Sequence, residues 1–186
     1  MTKKIKKLDH LISYKVNNLS GKLVAPPDKS ISHRALLFAS LSVGMSKISN
    51  LLESEDVSKM VAALKNLGVK VQNKGDICFV YGVGLTGFET PLNAIDCGNS
   101  GTLARILMGA IANNNISVTL IGDNSLSSRP MDRIVYPLES MGVDFITSDN
   151  KLPIIITGNT NLLPIKYKTP VSSAQIKTSI LLAGLN

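Results

Sequence analysis

The sequence predicts an α/β protein assembled from repeats of strand, helix, strand, helix and hairpin. Three observations carry that prediction. Helix openings rich in hydroxyl and small residues recur at Asp28-Lys29-Ser30-Ile31-Ser32-His33-Arg34, at Cys97-Gly98-Asn99-Ser100-Gly101-Thr102 and at Ser172-Ser173-Ala174-Gln175-Ile176-Lys177. Met60–Val69 is answered by Ile134–Val143, each closing on Gly-Val, with Gly142 placed 74 residues after Gly68. Strand-like stretches, Val69 to Val71 and Ile77 to Tyr81, flank the polar turn Asn73-Lys74-Gly75-Asp76, as a hairpin requires. Self-similarity at such a spacing marks a repeat architecture, whose equivalent helices point the same way.

In chain order, His10 to Val16 and Lys22 to Ala25 read as short strands. Pro26-Pro27 then leads into a helix that ends near Gly44, with Ile31, Ala35 and Phe38 at helical spacing along its packed side. Ser46 to Leu51 is strand-like. Glu53-Ser54-Glu55-Asp56 caps a helix running to about Leu67, and Gly68 stops it. Val69 to Val71 and Ile77 to Tyr81 are the hairpin strands, and Gly82 to Gly87 is a loop without the context of a dinucleotide fingerprint.

The second unit opens a helix at Gly98-Asn99-Ser100-Gly101-Thr102, with Leu103, Ile106, Leu107, Ala110 and Ile111 on one face; Arg105 answers Arg34, 71 residues earlier. Ser117 to Ile121 repeats the earlier strand. Ser127-Ser128-Arg129-Pro130-Met131 opens the later helix, and Pro130 suits a first turn. Arg129 there matches Glu55, opposes the helix dipole, and reads either as a solvated charge or as a hold on an anion. In the third opening, Ile176, Ile180 and Ala183 restate the first helix's spacing.

At 186 residues and 44% hydrophobic, the chain suffices for one domain or two small ones. The net charge of +7 draws four lysines from the first seven residues. The remaining basic residues are scattered, with no basic stripe and few aromatics for base stacking, and the charge fits small anions as well as nucleic acid, so alone it decides nothing. Cys78 and Cys97 form no metal-ligand spacing and suit a reduced, cytoplasmic setting. No window is long and apolar enough for a membrane, and no signal-peptide core follows the basic start.

Chemistry concentrates at the first opening. Lys29, Ser30 and Arg34 stand in or near the first turn, where free N–H groups and a partial positive charge favour phosphate or carboxylate. Taken alone, this stretch reads first as an ordinary capped helix with a basic edge, since caps of this kind are common.

Together, Asp28–Arg34, Gly98–Thr102, Ser128-Arg129-Pro130-Met131 and Ser173-Ala174-Gln175-Ile176-Lys177 resemble the 5-enolpyruvylshikimate-3-phosphate synthase family, the last in its bacterial second-class form. The resemblance implies the enolpyruvyl transferase fold: two inside-out, barrel-like α/β domains of three repeats each, the third repeat here stopping early. It implies a strand segment over 1–20 that packs with a second domain. The first repeat domain would then cover 21–186, with units near 21–90 and 91–160 and a partial third over 161–186.

The implied activity is transfer of the enolpyruvyl group from phosphoenolpyruvate to shikimate 3-phosphate, releasing phosphate, in aromatic amino acid biosynthesis. No cofactor or metal is implied, and the full-length enzyme is expected to be a cytoplasmic monomer. Lys29 would contact both substrates and act at the reacting enol ether. Ser30, Arg34 and Ser173 would hold shikimate 3-phosphate, Gly101 and Arg129 phosphoenolpyruvate, and Gln175 both. Glycine at 101 would go with sensitivity to glyphosate. Family chains are more than twice this length, so the chain is expected to be inactive alone and to need a C-terminal domain in cis or trans. A related transferase acting on a nucleotide sugar shares the fold, but Ser30 to Arg34 and the Ser-Ala-Gln-Ile-Lys stretch argue against it. A non-catalytic anion-binding remnant is the other alternative.

Overall fold

The computed structural model describes residues 12–185. The elements are α1 (Lys29–Leu41), β1 (Val43–Ser49), α2 (Glu55–Asn66), β2 (Lys70–Lys74), β3 (Ile77–Val83), β4 (Ile95–Asp96), α3 (Gly101–Ile111), β5 (Ser117–Ile121), α4 (Asn124–Ser127), α5 (Asp132–Ser140), β6 (Asp144–Ser148), β7 (Lys151–Thr157) and α6 (Ala174–Ala183). One sheet has the order β1-β3-β2 and the other β4-β5-β7-β6. The antiparallel triplet β5-β7-β6 repeats β1-β3-β2, and β4 adds a parallel edge through Ile95 and Asp96 against Leu120 and Ile121.

The repeat extends to the backbone. Gly68 and Gly142 both take positive φ, 86° and 98°, just past α2 and α5. Behind them, the N–H of Val69 donates to the carbonyl of Leu64 at 3.0 Å and that of Val143 to Leu138 at 3.1 Å. Each helix thus ends on the same left-handed glycine cap.

Among the described residues, the first unit has no counterpart of β4. Strands were expected over 10–16 and 22–25, yet residues 12–16 and 22–25 form none and stand exposed. A strand needs a neighbour to satisfy its N–H and C=O groups, and no described residue pairs with these. His10 and Leu11, like most of the segment expected over 1–20, lie outside the described residues.

The packed side of α1 also differs from expectation. Ile31 and Phe38 are 63% and 49% exposed, while Ser32, His33, Leu36, Leu37, Ser40 and Leu41 are buried. Both stripes have helical spacing, and what decides between them is where α2, α3 and β3 lie. The expected Ser46–Leu51 strand occupies Val43–Ser49, because α1 ends three residues before Gly44.

The central helix is α3, buried on nearly every side rather than on one face. Gly109 lets α6 approach closely: a Cβ there would lie 2.2 Å from the carbonyl oxygen of Ser179. Further along, Asn113 Nδ2 donates to the carbonyls of Leu182 at 3.1 Å and Ala183 at 2.8 Å. Thr102, Gly109 and Asn113 therefore meet Gln175, Ser179 and Ala183 in the same order. The two helices run parallel, and both N-termini lie at one end.

Candidate anion-binding site

Each opening is capped by its own side chain. Asp28 Oδ1 accepts from the N–H of Ile31 at 2.8 Å, Ser100 Oγ from Leu103 at 3.3 Å and Ser173 Oγ from Ile176 at 3.4 Å. Caps of this kind fix where a helix starts, and the packing of α6 against α3 brings two of these starts together.

Between these ends lies a cavity of about 300 Å³ lined by Arg105, Arg129, Arg133, Ser173, Gln175 and Ile176, with Pro130 at its edge. Gln175 bridges the helices. Its Oε1 accepts from Arg105 Nη1 at 3.0 Å, and its Nε2 donates to Thr102 Oγ1 at 2.9 Å. Arg105 Nη2 also donates to the carbonyl of Pro130 at 3.2 Å.

Arg129 is held from two directions: Nη2 donates to Asn99 Oδ1 at 2.6 Å and to Ser125 Oγ at 3.0 Å. Burial, followed by repulsion from Arg129 and Arg133, pushes Arg105 below its ordinary pKa, with Asp132 offsetting part of this. None of the three guanidinium groups forms a salt bridge among the described residues. Arg105 and Arg129 are half-buried and Arg133 is exposed; clustered arginines beside a hydroxyl and an amide favour a multiply charged oxyanion.

The expected helix start at Arg129 needs correction. Asp123 Oδ1 accepts from the N–H of Leu126 at 2.7 Å and opens the short α4. α5 begins only at Asp132, so Pro130 falls between the helices. The N–H of Arg129 donates to the carbonyl of Leu126 at 3.0 Å, which puts the residue past the end of α4. A residue before proline resists the α region, and that breaks the run in two. The case for an anion at Arg129 therefore rests on the arginine cluster and not on a helix dipole.

The structure brings Arg129, Ser173 and Gln175 to the cavity, and Gly101 stands beside Arg129: a Cβ on it would lie 3.5 Å from Arg129 Nη1. Lys29, Ser30 and Arg34 do not line the cavity. Lys29 Nζ instead pairs with Asp56 Oδ2 at 2.9 Å, at the start of α2. Ser30 and Arg34 are half-buried, with no side-chain hydrogen bond to another described residue. Two of the three expected N-termini thus meet at the cavity.

Sequence reasoning passed over Arg105, Arg133, Asn99 and Asp123 as site residues. Arg105 carried a usable signal, its repeat offset from Arg34. Asn99 lay inside a quoted motif. Asp123 shows only the pattern of an ordinary helix cap.

A larger cleft of about 890 Å³ opens between α2 and the β2–β3 hairpin. Its charged lining is acidic, Glu53 and Asp76, and it offers no cluster of cations. Among the described residues, no group of three His, Cys, Asp or Glu is placed to hold a metal, and no helix is long and apolar enough to cross a membrane. Cys97 is buried and its thiol is pushed up to about 12, chiefly by that burial, so it is no nucleophile at neutral pH.

Both the sequence and the fold match known proteins. The family model described as EPSP synthase (3-phosphoshikimate 1-carboxyvinyltransferase) matches residues 13–186. A 3-phosphoshikimate 1-carboxyvinyltransferase of Zymomonas mobilis is 48% identical over 178 residues, 95% of this chain and 39% of its own length. One from Rhodopseudomonas palustris is 52% identical over 171 residues, 90% of this chain and 38% of its own. The solved EPSP synthase of Acinetobacter baumannii superposes with a TM-score of 0.84 at 39% identity, over 89% of this chain and 38% of that one. The chain therefore spans about two fifths of the length of the curated relatives it matches. By family model, sequence and fold alike, the chain belongs to the EPSP synthase family.

Proposed function

We propose that this chain contributes the anion-holding half of an enzyme that transfers the enolpyruvyl group from phosphoenolpyruvate to shikimate 3-phosphate. The carrying observation is the cavity that places Arg105, Arg129, Arg133, Ser173 and Gln175 around one space between parallel helix ends. Both substrates are small, multiply charged oxyanions, which suits that lining.

Arg129, beside Gly101, holds phosphoenolpyruvate. Ser173 takes the phosphate of shikimate 3-phosphate, and Gln175 lies between the two ligands. Ser30 and Arg34 hold the carboxylate and neighbouring hydroxyl of shikimate 3-phosphate. Lys29 contacts both substrates once it leaves Asp56, and its ammonium stabilises charge at the reacting enol ether. A hydroxyl of shikimate 3-phosphate adds to C2 of phosphoenolpyruvate, giving up its proton while the methylene carbon takes one up; loss of phosphate, together with a proton from the resulting methyl group, restores the double bond and completes the transfer. The residues that move protons on the enolpyruvyl group are assigned to the part of the relatives this chain does not span. The chain by itself therefore binds without turning over, and the complete enzyme works as a cytoplasmic monomer.

Calorimetric titration with shikimate 3-phosphate, beside an Arg34→Ala control, tests this reading. Binding that the control loses supports it. Binding of equal strength in both chains removes Arg34 from the site, and turnover by the chain alone refutes the division of labour.

A further inference from the structure

We propose that Asp123 is a positioning residue for Arg129, acting through Asn99, and that it thereby sets how firmly the site holds phosphoenolpyruvate; the second clause rests on the function proposed above. The two carboxylate oxygens of Asp123 do separate jobs. Oδ2 accepts from Asn99 Nδ2 at 2.7 Å, while Oδ1 accepts from the N–H of Leu126 at 2.7 Å and caps α4. The backbone N–H of Asp123 donates to the carbonyl of Gly98 at 2.9 Å, which fastens this turn to the loop before α3.

Each oxygen fixes one of the acceptors that meet Arg129 Nη2. A side-chain amide is nearly symmetric in shape but has a donor at one end and an acceptor at the other. Ionised Asp123 only accepts, so it fixes the Asn99 amide with Nδ2 inward and Oδ1 toward Arg129, 2.6 Å away. The α4 turn capped by Oδ1 carries Ser125, whose Oγ is the second acceptor at 3.0 Å. Hydrogen bonds from Asn99 and then from Leu126, with a lesser attraction from Arg129, lower the pKa of the Asp123 carboxyl, and an aspartate is ionised at neutral pH even without that shift.

The amide between carboxylate and guanidinium has a consequence for charge. A direct pair would cancel the arginine's charge and leave less for a ligand, and no Asp123–Arg129 salt bridge occurs. The relay passes on direction while the cation stays available. With both Nη2 protons engaged, Nη1 is the nitrogen beside Gly101; it reaches the Asn99 carbonyl only at 3.5 Å.

Nitrogen–proton NMR of the arginine guanidinium groups tests the proposal, with Arg129→Lys identifying the Arg129 signals. In the unsubstituted chain Arg129 gives separate, slowly exchanging Nη2 proton signals. Asp123→Asn keeps an oxygen to cap α4 but turns a donor toward Asn99 Nδ2, and the separate signals average together. Adding Asn99→Asp restores the donor–acceptor order with the groups exchanged, and the signals separate again. Arg129 signals unaltered in Asp123→Asn, or not recovered in the double variant, overturn the proposal. Titration with phosphoenolpyruvate reads the function independently, with a loss of roughly tenfold expected in Asp123→Asn, the worth of one charge-assisted hydrogen bond. Should the unsubstituted chain ignore phosphoenolpyruvate while the NMR pattern holds, the proposed function fails and the positioning stands.

Discussion

A methyl group on Gly101 would stand 2.9 Å from Nη1 of Arg105, the same nitrogen that donates to Gln175 at 3.0 Å. The obstructing atom is the end of a flexible side chain, so Gly101→Ala displaces Arg105 and spares the fold. Stability is expected to change by less than about 1 kcal/mol. In the complete enzyme, glyphosate inhibition is expected to weaken more than the affinity for phosphoenolpyruvate, because the methyl narrows the space beside Arg129. Inhibition constants for both proteins decide the matter, and equal glyphosate inhibition would sink the idea.

Gln175 offers a sharper electrostatic test. Gln175→Glu preserves shape and keeps an acceptor for Arg105, yet it introduces a negative charge into a cavity lined by three arginines. Gln175→Ala removes the bridge but adds no charge. If the cluster exists to hold an anion, the isosteric change is the more damaging one. Calorimetry with shikimate 3-phosphate is expected to show a loss of roughly tenfold or more for Gln175→Glu, and a smaller one for Gln175→Ala. The reverse order would show that Gln175 matters for packing alone.

Much of this arrangement was legible in the sequence. Caps at Asp28, Ser54, Ser100 and Ser173, and the glycine stops at Gly68 and Gly142, are local, so they could be read from a few residues each. What failed depended on distant partners. Ile31 and Phe38 share the period of Leu36 and Leu37, and only the neighbouring elements choose between the stripes. Strands at 12–16 and 22–25 require a neighbour that no local pattern reveals. In the site, Arg129, Ser173 and Gln175 came from quoted motifs. The Asn99–Asp123 contact joins residues 24 apart across two loops and left no local trace.

Gly109 tests the parallel packing that brings two helix ends together. A Cβ there would lie 2.2 Å from the Ser179 carbonyl oxygen and 2.6 Å from its Cα, both backbone atoms that cannot turn aside. Gly109→Ala is expected to destabilise the chain by about 3 kcal/mol through overpacking. Urea unfolding measures this directly. A loss below about 1 kcal/mol would mean that α3 and α6 are not pressed together as described.

His33 predicts a pH dependence. The residue is fully buried, and neither ring nitrogen has a hydrogen-bond partner among the described residues. Burial is the main cause lowering its pKa from 6.5 to about 4; Lys29 and Arg34 add to the shift, and Asp56 opposes it. Between those values the unfolded chain binds a proton that the folded chain refuses, so stability falls as pH drops. The His33 contribution is whole above about pH 6.5, declines toward pH 4 and is flat below it. Its size is about 3 kcal/mol, from roughly 1.4 kcal/mol per pKa unit. Leucine in its place is neutral at every pH, so His33→Leu is expected to lose less stability over this window by about that amount. The carboxylates titrate in both chains and drop out of the difference. Urea midpoints taken from pH 7 to pH 4.5 provide the comparison, and parallel curves for the two chains would show that His33 gains its proton without resistance from the core.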